Sequence, residues 1–208
     1  MERIKEKSLL IAGIMFVAMV VYKLFSTDAY SNSVGFYYFY NLVVSVGFLT
    51  LGILCIKGGL EPAKAIVLTV LTVLELISVV VTVFEMFGAM FEYFDIYLIF
   101  YVISILSGLL NAAALALLAI MTFCAWKKKT CILDRYWFAP AVISLIPIAL
   151  AIISRIVSIF VYSASLSISD IIDILLITVV GTVICAVRYA FYGLGVSQKN
   201  TENEKILL

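Results

Sequence analysis

The sequence predicts an all-α polytopic membrane protein with six transmembrane helices and both termini in the cytoplasm. Three observations lead there. Of 208 residues, 65% are apolar and only 13% charged, against about 45–50% and about 25% in a soluble domain. The apolar residues fall into runs long enough to cross a bilayer, which takes roughly 20 residues each. The basic residues gather in alternate connections. An apolar excess of this size, with a mean hydropathy of +1.20, has to face something other than water.

The first span is expected over about 8–25, preceded by Arg3, Lys5 and Lys7. A basic start also opens a signal peptide. Here the apolar run is longer than the usual 7–15 or so, and no Ala-x-Ala site follows, so the helix is read as retained. Ser-Thr-Asp and Ser-Asn-Ser between 26 and 33 break the chain before the second span, 34–56. Lys57, Gly58 and Gly59, with Pro62 behind them, mark the next break. Proline is tolerated where a helix begins, since its missing N–H would be an orphan there. The third span covers 63–87 and the fourth 95–126, ended by Lys127, Lys128 and Lys129. The fifth covers 137–162, with Pro140 near its start. Pro147 lies deeper, where it frees a carbonyl one turn earlier and should kink the helix. Serines between 163 and 169 precede the sixth span, 168–192. Gly193-Leu194-Gly195 lacks the third glycine of a dinucleotide motif and reads as a helix stop. That leaves 193–208 as a short polar cytoplasmic tail on a single membrane domain spanning 1–208.

Orientation follows from charge. Arg3, Lys5, Lys7, Lys57, Lys64, Lys127, Lys128, Lys129, Arg135, Lys199 and Lys205 fall on one side, and only Lys23 on the other. The positive-inside rule puts the basic side in the cytoplasm, which requires an even number of spans. Arg155 and Arg188 remain inside helices, and Arg188 is expected to snorkel to the cytoplasmic interface. The expected location is the cell membrane. Cys55, Cys124, Cys131 and Cys185 all fall at cytoplasmic ends, where reduction disfavours disulfides. No Cys-x-x-Cys pair occurs, so they read as small buried hydrophobes.

No histidine is present. That removes Ser-His-Asp and Cys-His catalysis, His-based zinc sites, haem ligation through His and His proton relays. G-x-S-x-G, Walker A and G-x-G-x-x-G are missing too. The chain is expected not to be an enzyme and to carry no cofactor or metal. A net charge of +1 offers no basic surface for nucleic acid.

Function is sought in the polar groups left inside the membrane, where a charge costs about 2.5–3.5 kcal/mol on insertion scales. Glu75 falls at the midplane of the third span, and Thr72, Ser78, Thr82 and Glu85 share its face. Such a stripe faces a partner helix or a water-filled cavity; a protonated Glu75 making one interhelical hydrogen bond would also satisfy it. On the fourth span Asn111 lies beside Ser104, Ser107 and Gly108, and Ala112 and Ala116 continue the row. This reads as a tight helix seam or a docking face, with Asn111 in reach of Glu75. Arg155 on the fifth span and Asp173 on the sixth match in depth and suit an ion pair or an anion site. Asn41 and Ser45 share a face of the second span. The aromatics at 36–40 and 91–101, Tyr101 among them, fit an interfacial belt.

Glu75, Arg155, Asp173, Asn41, Tyr101 and Asn111 thus form the candidate ligand-binding set, converging on the outer leaflet under an acidic rim. The pattern suits binding or translocation of a small solute or cation through an outward-opening pocket. A non-catalytic assembly or regulatory subunit that docks another membrane protein is the alternative. In size and topology the chain resembles the substrate-capture components of energy-coupling-factor vitamin transporters, in architecture alone.

Overall fold

The computed structural model describes residues 2–25, 36–59, 61–90, 97–127, 129, 131–162, 171–172, 175, 179–180 and 182–207. Six long helices form: α1 (Glu2–Phe25), α2 (Phe36–Lys57), α3 (Glu61–Met90), α4 (Tyr97–Trp126), α5 (Ala139–Tyr162) and α6 (Thr182–Leu207). A short 3-10 helix, Ile132–Tyr136, lies between α4 and α5. Residues 171–172 and 175 are also helical, and no strand occurs among the described residues.

Each helix packs on its neighbour in sequence from α1 to α6 and α6 returns to α1, so the bundle closes into a ring. The tightest corner is the α2–α3 turn. Gly58 and Gly59 adopt φ of +70° and +63°, a region that costs other residues roughly 1–2 kcal/mol each. Two such steps reverse the chain, and Glu61 and Pro62 then open α3. Pro147 sits inside α5.

Apolar residues occupy the outer faces of the helices as well as the inner ones. Val44, Phe48, Leu51 and Cys55 form the inward face of α2, at steps of three and four residues. Leu42, Val46, Leu49, Ile53 and Ile56 form an equally regular exposed face. On α3 the exposed stripe is longer: Ile66, Val70, Val73, Ile77, Val80, Phe84 and Phe87. A few polar residues are buried among this apolar core, among them Ser45, Lys64, Thr122, Ser144 and Ser197. Their needs are met locally. Thr122 donates to the Leu118 carbonyl at 2.7 Å and pairs with the Tyr192 hydroxyl at 2.9 Å. Lys64 lies 3.7 Å from Glu61. Among the described residues three stretches are long and apolar enough to cross a membrane, Phe39–Lys57, Glu61–Gly88 and Leu98–Trp126. Ala139–Ser154 and Val183–Ser197 are shorter apolar helices.

α6 departs from expectation. It runs straight through Gly193 and Gly195 to Leu207, so the glycines are not a stop and the expected tail is helical. They serve close packing. A Cβ on Gly193 would collide with the Trp137 carbonyl oxygen, and one on Gly195 would lie 2.8 Å from Leu9 Cγ. This extension also corrects the place of Arg188. It does not snorkel; it is 4% exposed, in the middle of the bundle.

Candidate functional site

The polar stripe of α3 faces the polar row of α4, and a cavity of about 560 Å³ lies between them. From α3 it is lined by Glu75, Ser78, Thr82 and Glu85, and from α4 by Phe100, Tyr101, Ser104, Ser107, Gly108 and Asn111. Both sets recur at three- and four-residue steps, so each is one helix face. At the inner end the helices come close. A Cβ on Gly108 would lie 2.5 Å from Val79 Cγ2, and Ala112 is buried. The small-residue row of α4 is therefore spent, at these two positions, on packing against neighbours within the chain.

Among the described lining residues two are carboxylates and none is basic. Glu75 is half-buried, and Glu85, nearer the end of α3, is exposed. Glu75 is held from α2: the Tyr40 hydroxyl hydrogen-bonds its carboxylate and also the Ser78 hydroxyl. The Thr82 hydroxyl donates to the Ser78 carbonyl at 2.9 Å. Its proton is thus used, and its lone pairs remain to accept from a ligand. Thr72, expected in the same stripe, bonds the Leu68 carbonyl at 2.8 Å and does not line the cavity. Among the described residues no group of three His, Cys, Asp or Glu side chains is gathered as metal ligands would be.

The structure brings together Glu75, Tyr101 and Asn111 of the six candidates. Asn41 is half-buried on α2 but is not part of the lining. Its neighbour Tyr40 makes the contact instead, because Tyr40 continues the inward face of Val44, Phe48, Leu51 and Cys55 four residues further back. That spacing was the available signal. Arg155 lies on α5 with its side chain outside the described residues, and Asp173 lies outside them altogether, so their pairing is not described.

Arg188 forms a second polar centre. Its guanidinium lies 4.5 Å from the Tyr189 ring, 4.9 Å from Phe48 and 5.5 Å from Phe16. It donates to the Tyr189 hydroxyl at 3.2 Å and to the Met19 sulfur. Its Nε has no hydrogen-bond partner among the described residues. Aromatic faces surround the charge.

The α4–α5 connection is fixed from behind. The Cys131 N–H donates to Asp134 Oδ2 at 3.3 Å, and the Ser197 hydroxyl of α6 donates to the Asp134 carbonyl at 3.0 Å. Burial, foremost, pushes the Cys131 thiol up to about 11, so at neutral pH it is protonated and a poor nucleophile. No protein-family model, curated protein or solved structure matches this chain.

Proposed function

We propose that this chain is a multi-pass cell-membrane protein, both termini cytoplasmic, that binds a small cationic solute in the groove between α3 and α4. The bilayer reading is supported by the apolar stripes, which occur on the outer faces of α2, α3, α4 and α5 alike. A single protein partner would cover one face; lipid covers all of them. In this orientation α3 runs outward, so Glu85 stands at the rim and Glu75 deeper.

The observation that carries the ligand class is the charge of the groove's described lining: two carboxylates and several hydroxyl acceptors, with no basic residue among them. Its volume lies within the roughly 300–1,000 Å³ of small-molecule sites. Phe100 and Tyr101 offer ring faces to an ammonium group. With no cluster of three metal ligands among the described residues, an organic amine fits better than a tightly held divalent ion. The docking-subunit reading loses ground, since Gly108 and Ala112 already serve packing within the chain.

The test is thermal unfolding of the purified full-length protein in detergent, against primary amines, polyamines and quaternary ammonium compounds. At least one should raise the unfolding temperature, and Glu75→Gln should weaken its binding roughly 10- to 150-fold, the range of one charge-assisted hydrogen bond. Stabilisation by neutral or anionic solutes alone, or an unchanged response in Glu75→Gln, would overturn the assignment.

A further inference from the structure

We infer that the α4–α5 connection is a binding site for the headgroups of anionic phospholipids. Three exposed basic residues stand there: Lys127, Lys129 and Arg135. The one acid among the described residues of the segment, Asp134, is turned to the backbone of Cys131, so the outward charge is positive. Beside these bases the surface is apolar. Ile132 is 89% exposed, and Tyr136, Phe138, Phe123 and Trp126 are each more than two-fifths exposed.

An isoleucine standing almost clear of the fold is costly in water and favourable at the boundary between headgroups and acyl chains. The Lys127 ammonium lies 4.1 Å from the Trp126 ring and 5.8 Å from Phe123. It is thus held at the level of the aromatic layer, where lipid phosphates lie. The patch also continues the exposed stripe of α4, at Ile120 and Phe123, and runs from Phe138 in the preceding turn to Val142 on α5. That continuity favours lipid over a soluble acidic partner, which would need the bases and gain nothing from a seam running on into the bundle wall. The platform is rigid, since Ser197 and Gly193 of α6 fix Asp134 and Trp137 from behind. Basic residues so placed are the elements of anionic-lipid recognition.

The inference rests on the bilayer reading above and is independent of what the α3–α4 groove binds. Both tryptophans of the chain, Trp126 and Trp137, lie in or beside the patch, so their fluorescence reports on it directly. The full-length protein is reconstituted in mixed phosphatidylcholine and phosphatidylglycerol vesicles, with bromine on the acyl chains of one lipid or the other. Brominated phosphatidylglycerol should quench more per mole than brominated phosphatidylcholine. The preference should fall with added salt and drop about fivefold for each basic residue removed in the series K127Q, K129Q and R135Q. The charge-conserving variant K127R/K129R/R135K should keep it. Equal quenching by both lipids would overturn the headgroup site while leaving the bilayer reading intact. No quenching by either would overturn both.

Discussion

At the scale of single residues, Arg188 shows how aromatic rings accommodate a buried charge. Its guanidinium is surrounded by Phe16, Phe48 and Tyr189, whose ring faces carry the negative end of the quadrupole. Phe48→Ala should therefore remove two things, core packing and a share of the charge's environment. Its expected cost is about 3–5 kcal/mol, that of truncating a core phenylalanine. Arg188→Met keeps most of the volume and discards the charge, and replacing a buried charge with an apolar isostere is often close to neutral. In reversible unfolding, Phe48→Ala should cost about 0.5–2 kcal/mol less in the Arg188→Met background than in the wild type. Strict additivity would show that the rings pack against Arg188 without stabilising its charge. Glu75 and Asn111 were legible in the sequence because each belongs to a polar row with helical period. Tyr40 stood among five consecutive aromatics, and only its four-residue spacing from Val44, on the inward face of α2, singles it out.

At the scale of elements, glycine is the ambiguous letter. Gly58 and Gly59 do end a helix, with φ of +70° and +63°; Gly193 and Gly195 do not. Locally the two pairs look alike, and the difference lies in what approaches from elsewhere. Beyond Gly59 there is open space, whereas Gly193 meets the Trp137 backbone and Gly195 meets Leu9. Gly193→Val should force α6 away from the start of α5 and cost about 1–3 kcal/mol, as overpacking does. Thermal unfolding in detergent checks this; an unchanged midpoint would mean that the contact relaxes freely. The same ambiguity explains how the other ends were legible. α4 ends at Trp126 as its lysine run predicts, and α5 and the α2–α3 turn begin near their prolines. Lysine and proline punctuate by chemistry of their own. A glycine inside a packed helix is justified only by its neighbour.

For the whole molecule, composition and charge made the all-helical class legible before any contact was known. The structure adds regular apolar stripes on the outside, around an apolar core that also takes in Lys64, Thr122 and Arg188. In the proposed topology the basic connections are cytoplasmic. A fluorescent reporter fused after Leu208 should fold and emit, since that requires the cytoplasm. Alkaline phosphatase fused after Asp28 or Tyr93 should be active, since that requires export. The opposite pattern would invert the molecule and turn Glu85 toward the cell interior.

The lengths of α3 and α4 carry a consequence of their own. Their apolar stretches run 28 and 29 residues, or about 42 and 43 Å at 1.5 Å per residue. The oily slab of a bilayer is only about 30 Å thick. In the proposed bilayer arrangement, two adjacent rods that overshoot it by about 12 Å must lean or protrude, and a thinner sheet makes them lean further. Because those two rods are the walls of the groove, its mouth is placed by the thickness of the surrounding lipid as well as by the protein. On that proposal membrane composition becomes a setting on the site, acting through tilt and requiring no effector molecule at all.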